Sequence, residues 1–238
     1  MTFINRSLSR AKADYFNLFA HDCCTNYVQL LANDKKCKTL ALIEEGMASY
    51  LQYDELLCLH KRDFTRHELL CSRICYDNRI QPVGFAGTET DKFSITQDAF
   101  PGTQSKMIFD LQQAKKITSE QGYHIPNDAT ILIHDASSEF FICSTNDYIE
   151  DISRLLTKRV PQDTLYYKFH PSQSLKTKSS FVELLQNLNI RGHEIPPSAP
   201  IEFYILSDFS YNFLGIRSSC LFYAQRFGNH NVFDLNST

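Results

Sequence analysis

The chain has 238 residues, 43% of them hydrophobic and 21% charged, enough to bury one large core or two smaller ones. A net charge of -3 and an isoelectric point near 6.2 exclude broad electrostatic capture of nucleic acid, while leaving room for a local basic pocket that holds a phosphate. No run approaches the ~18 apolar residues of a membrane span, and the opening MTFINRSLSRAKADYF lacks the apolar stretch of a signal peptide. A cytoplasmic protein is therefore expected. Its eight cysteines (Cys23, Cys24, Cys37, Cys58, Cys71, Cys75, Cys143 and Cys220) are read as reduced thiols.

In chain order, residues 12–32 read as one helix, because Phe16, Phe19, Cys23, Tyr27 and Leu30 recur at intervals of three and four. Thr39 to Ile43 is a short apolar run stopped by two acids and a glycine, the pattern of a buried strand. Residues 47–77 read as mixed and mostly helical. Within them HELLCSRIC sets His67, Cys71 and Cys75 four residues apart, but no fourth ligand and no CxxC pair accompany them. They are read as a buried helix face, and no metal site is expected. Residues 81–105 carry three glycines and two prolines and read as loop with short extended pieces. SKMIFDLQQAKKITSEQG holds a helix that stops near Gly122.

YHIPNDA looks like a domain boundary, so the expected division is 1–126 and 127–238. Beyond it the pattern alternates. TILIHDAS reads as strand, DYIEDISRLLTKRV as helix with Ile149, Ile152, Leu155 and Leu156 on one face, and TLYYKFHP as strand. SSFVELLQNLNI reads as helix, IEFYIL as strand, SSCLFYAQRFG as the start of a helix, and NVFDL as a last short strand. Alternating βαβα implies a parallel sheet with helices on both faces, an α/β fold.

Three short motifs fall where open α/β sheets bind ligands, at strand ends or helix starts. In ALIEEG, Glu44 and Glu45 end a strand and Gly46 lets the chain turn. Adjacent strand residues point to opposite faces, so at most one of the two carboxylates faces a site, where it could act as a base on a hydroxyl. In YYKFHP, strand alternation puts Leu165, Tyr167 and Phe169 on one side and Tyr166, Lys168 and His170 on the other. Lys168 and His170 together suit a phosphate, and Pro171 biases His170 toward an extended backbone. In GIRSSCLFYA, Ser218 or Ser219 caps a helix whose N-terminus would favour an anion.

The order EEG, KFHP, PIEFYIL and SS resembles that of the bacterial sialyltransferases, especially the polysialyltransferase and lipooligosaccharide sialyltransferase families, from about Leu40 to Cys220. The resemblance implies a GT-B-like fold, two Rossmann-like domains facing a cleft. The N-terminal acceptor-side domain would be shortened, since only 43 residues precede Glu44. The C-terminal domain would bind the CMP-sugar. It implies an inverting, metal-independent transfer of sialic acid from CMP-sialic acid, with no further cofactor, to a glycan hydroxyl in capsule or lipooligosaccharide biosynthesis. Either Glu44 or Glu45 would be the base. His170, in the motif with Pro171, would contact the donor phosphate and serve as acid, with Lys168 near the nucleotide. Glu202 would hold the ribose hydroxyls, and Ser218 and Ser219 the phosphate. The partners implied are donor and acceptor, with peripheral association at the inner face of the membrane. Two alternatives stand beside this: a truncated, non-catalytic CMP-sugar-binding relative, and a glycerophosphotransferase-like enzyme.

Overall fold

The structure is a computed structural model that describes residues 2–21, 28, 31–32, 34–52, 90–108, 110–121, 124–140, 142–159 and 164–235. The helical stretch expected beyond residue 52, with Cys58, His67, Cys71 and Cys75, lies outside the described residues, as do Cys23 and Cys24. The chain forms two compact units, Met1–Phe109 and Asp110–Thr238.

The first unit holds α1 (Thr2–Ala11), β1 (Phe16–Ala20), β2 (Cys37–Ile43), a single 3-10 turn (Met47–Tyr50), β3 (Asp91–Ser94) and β4 (Lys106–Met107). Its four strands are parallel and lie in the order β1-β2-β3-β4. Leu42, Ala99 and Phe100 are buried together, with Leu40 and Tyr50 packed beside them. The single helix expected over 12–32 is corrected, because Phe16–Ala20 is a strand paired with β2 from Phe16 opposite Cys37 to Ala20 opposite Leu42. Phe16 and Phe19 mimic helical spacing, yet Phe19 points outward, 56% exposed. Ladder pairing with an apolar neighbour overrides local periodicity here.

The second unit runs α2 (Leu111–Gln121), β5 (Thr130–Ile133), α3 (Thr145–Arg159), β6 (Thr164–Lys168), α4 (Leu175–Asn187), β7 (Arg191–Glu194), α5 (Glu202–Ile205), β8 (Asn212–Gly215), α6 (Ser219–Phe227) and β9 (Asn231–Asp234). All five strands are parallel, ordered β7-β6-β5-β8-β9. Strand β5 lies at the centre and is buried at every position, which is why it reads as an unbroken apolar run. Its Leu132 joins Leu165, Tyr167 and Leu214 under α3 and α4, where Tyr148, Ile152, Leu156, Phe181 and Leu185 are buried. Its Ile131 and Ile133 join Phe213 on the other face, under Tyr204 and Ile205 of α5 and Leu221 and Ala224 of α6. Each such aliphatic side chain, fully buried, contributes roughly 1.5–3 kcal/mol.

One further expectation is corrected. IEFYIL is not a strand: Glu202–Ile205 is a helical turn that buries Tyr204 and Ile205, and the strand before the Ser-Ser pair is Asn212–Gly215. The edge strand Arg191–Glu194, polar and largely exposed, has no apolar signature to read. Helix α2 packs on α5, and Lys115 pairs with Asp208 at 3.3 Å, so the second unit begins at Asp110 and the expected boundary at 126/127 falls inside it. Among the described residues no helix is long and apolar enough to cross a membrane, and no group of three or more His, Cys, Asp or Glu is placed to hold a metal.

Candidate functional site

In the second unit the chain winds outward from β5 through β6 to β7, then returns to place β8 on the other side of β5. The reversal lies between β5 and β8, where the C-terminal strand ends of an open α/β sheet form a crevice. Gly215 ends β8 there. A Cβ on it would come within 2.9 Å of the Ile133 carbonyl and of Leu221, so only glycine lets β8 and α6 close on β5. Just past β5, buried Asp135 bridges the crevice. Its Oδ1 accepts the Ser137 N–H at 2.7 Å and its Oδ2 the Arg217 N–H at 3.3 Å.

Beyond β6 the chain makes a tight turn, His170–Pro171–Ser172–Gln173, closed by the Gln173 N–H donating to the His170 carbonyl at 3.0 Å. Proline's fixed φ suits the second position of such a turn, so Pro171, itself exposed, shapes the turn. The His170 N–H donates to Gln173 Oε1 at 3.1 Å, and the Ser172 N–H donates to His170 Nδ1 at 3.1 Å. The ring of Phe140, 58% exposed, stands 6.5 Å from the His170 ring. Lys168 turns elsewhere: its Nζ donates to the Pro196 carbonyl at 2.8 Å. Burial lowers its pKa, opposed by the carboxylates of Glu202 and Glu194. The structure therefore groups Lys168 with Glu202, which is exposed at the start of α5, and among the described residues Lys168 makes no hydrogen bond to His170.

Helix N-termini attract anions, and besides the single turn of α5 the helices α3, α4 and α6 start at this edge after a strand. Helix α3 closes its own start: Ser144 Oγ accepts the Asp147 N–H at 3.1 Å and donates to Asp147 Oδ2 at 2.7 Å. Helix α4 is closed by Glu139, whose Oε1 accepts the Ser174 N–H at 3.2 Å and the Thr177 hydroxyl at 2.7 Å. Partial burial pulls the Glu139 carboxyl up, but bonds from Ser138, Thr177 and Ser174 outweigh it and bring it down to about 2. Helix α6 differs. Ser218 is its N-cap and accepts the Cys220 N–H at 3.3 Å, Ser219 is its first residue, and no carboxylate bonds its first turn among the described residues.

In the first unit the two acids of ALIEEG part company. Glu44 is 5% exposed. Its Oε2 accepts the N–H groups of Ile95 at 2.6 Å and Thr96 at 3.1 Å, and its Oε1 accepts the Tyr50 hydroxyl. It thus ties the end of β2 to the end of β3. Glu45 points outward with its side chain 65% exposed, 3.3 Å from His21 Nε2 at the end of β1. Gly46, at φ 60, supplies the left-handed turn that follows them.

The alpha-2,8-polysialyltransferase family model matches residues 3–236. The chain belongs to that family. Polysialyltransferase-family membership covers both units, and the family is one of glycosyltransferases. A solved structure titled the S. aureus MnaA-UDP co-structure aligns with a TM-score of 0.54 at 17% identity, covering 99% of this chain and 60% of that one. That likeness bears on the fold alone, and the chain spans about 60% of the neighbour's length. No curated protein matches it.

For this polysialyltransferase-family chain, sequence reading singles out Glu44, Glu45, Lys168, His170, Pro171, Glu202, Ser218 and Ser219. It misses Asp135, Glu139, Gln173 and His21, which hold or flank those residues. HDAS at the end of the most apolar strand is the one available signal for Asp135. Glu139 reaches partners 35 and 38 residues away, which nothing local announces.

Proposed function

We propose that the protein is an inverting, metal-independent glycosyltransferase that moves sialic acid from CMP-sialic acid to a glycan hydroxyl, with a GT-B-type division of labour between its two units. The observation that carries this reading is that one family match spans both the exposed Glu45 and the edge that presents His170 and Ser218.

Glu45 is the base in this reading. Its solvent-facing carboxylate takes the proton of the acceptor hydroxyl, whose oxygen then bonds to the anomeric carbon. The carbon–oxygen bond to the phosphate breaks, its electron pair stays on that oxygen, and CMP departs. His170, the Ser218 and Ser219 hydroxyls and the positive N-terminal end of α6 meet the growing phosphate charge. Lys168 and Glu202 form the nucleoside side of the same edge, with Glu202 on the ribose hydroxyls.

The test is CMP release from CMP-sialic acid with sialylated and galactosylated acceptors, run with and without a chelator. Release that survives chelation and disappears in Glu45→Gln and His170→Ala supports the proposal. Calorimetric CMP binding without turnover would favour a non-catalytic CMP-sugar-binding protein. No binding of either CMP or CMP-sialic acid would remove the reading altogether.

A further inference from the structure

Beneath the His170 turn lies a buried polar cluster that the reaction does not use. His134 follows β5 directly, is 2% exposed, and is enclosed by the rings of Phe169, Phe181 and Tyr167, with Phe181 centred 4.3 Å away. Its Nδ1 lies 3.0 Å from the Tyr148 hydroxyl and 3.5 Å from Gln173 Nε2, while its Nε2 has no hydrogen-bond partner among the described residues. Gln173 Nε2 also reaches the Tyr148 hydroxyl at 3.5 Å. Gln173 is 6% exposed, so a buried amide is oriented on one side by His134 and Tyr148. Its other end, Oε1, grips the His170 N–H.

We propose that the buried trio His134, Tyr148 and Gln173 sets the tautomer of His170, fixing its turn so that the Ser172 N–H occupies Nδ1 and the ring presents Nε2–H outward to an anionic ligand. The reasoning is geometric. A nitrogen that accepts an N–H bond carries no proton of its own, so the hydrogen of the neutral ring sits on Nε2. A donor can reach Nδ1 only while the turn stays tight, and the turn is tied twice by Gln173, once through each backbone group of His170. The amide of Gln173 cannot flip without setting its NH2 against the His170 N–H.

The role of this N–H on the donor phosphate rests on the function proposed above. It makes His170 a hydrogen-bond donor to the departing phosphate, so CMP leaves as an anion and the acceptor's proton stays with the base. His134, Tyr148 and Gln173 are then positioning residues that never touch substrate.

The experiment is nitrogen-15 NMR of histidine-labelled protein, which reads the tautomer of each ring without needing activity. The wild-type His170 signal, assigned by its loss in His170→Ala, should be that of the Nε2–H tautomer. Gln173→Met should give a mixture of tautomers and raise the KM for the donor about tenfold, the scale of one hydrogen bond to a charged group. Tyr148→Phe, which keeps the ring and loses only the hydroxyl, should move both readouts the same way by less, and serves if Gln173→Met does not fold. An Nδ1–H signal in the wild type, or an unchanged Nε2–H signal in the folded variants, would overturn the proposal. Failure of the functional reading shows separately, as an Nε2–H ring in a protein that releases no CMP.

Discussion

Two neighbouring carboxylates of the same motif have unlike surroundings, and the surroundings decide their work. Glu44 accepts two backbone N–H groups and a tyrosine hydroxyl away from water, whereas Glu45 faces solvent beside His21. Removing a buried acceptor that serves several donors leaves them unsatisfied, so Glu44→Gln should lower the unfolding free energy by about 1–3 kcal/mol. Glu45→Gln should leave stability within about 0.5 kcal/mol and reduce transfer by roughly 10²- to 10⁴-fold, as loss of a general base does. Denaturant titration beside the CMP-release assay separates the two. A stable but inactive Glu44→Gln paired with an active Glu45→Gln would reverse the assignment.

His134 makes a prediction about acid. Burial holds its imidazole down to about 3, against an ordinary 6.5. In the unfolded chain the ring takes a proton near pH 6.5, and in the folded protein it does so only near pH 3. Its contribution to stability is thus complete above about pH 6.5 and falls about tenfold in the folding equilibrium for each pH unit below that, until about pH 3. Urea midpoints measured between about pH 4 and pH 7 should drop more steeply in the wild type than in His134→Gln. Parallel slopes for the two proteins would show that another group governs the acid limb.

Among the elements, the contact of β8 and α6 with β5 leaves no room for a side chain at Gly215. Gly215→Ala would set a methyl within 2.9 Å of the Ile133 carbonyl and Leu221. Relieving that overlap should cost about 1–3 kcal/mol and push the start of α6 away from the sheet. Stability and CMP affinity should therefore fall together. A variant of full stability with weakened CMP binding would mean that the helix start moves without strain at the strand.

The same elements show what the sequence lets a reader see. β2, β5 and β6 are legible because burial on one or both faces writes itself as apolar runs or alternation, as in Leu165 and Tyr167 against Tyr166. β8 is hidden, since NFLG holds two apolar residues while the helical EFYI before it holds three and looks more like a strand than the strand does. The motif residues were legible one by one. Their supports were not, because Tyr148 and Gln173 meet His134 from 14 and 39 residues along the chain and only the folded sheet brings them together.

At the level of the whole molecule, the second unit carries two apolar clusters of its own, one on each sheet face. A fragment of residues 110–238 should therefore fold alone with a cooperative unfolding transition, visible by circular dichroism and dispersed NMR signals. A fragment of residues 127–238 loses α2, which covers α5, and should unfold at lower denaturant. Equal midpoints for the two fragments would place α2 outside the cooperative unit.

The closure of α3 by Asp147 and of α4 by Glu139 has a consequence for ligand counting. In the proposed function a nucleotide with two phosphates needs two seats for negative charge, and among the described residues α6 alone of α3, α4 and α6 has a first turn that no carboxylate bonds, with His170 as the proposed companion donor. The protein carries built-in carboxylates where a second phosphate would otherwise settle, and they would repel it. Affinity should thus run against the usual trend of more phosphates binding more tightly: calorimetry should find CMP bound better than CDP, and Glu139→Gln should narrow that gap.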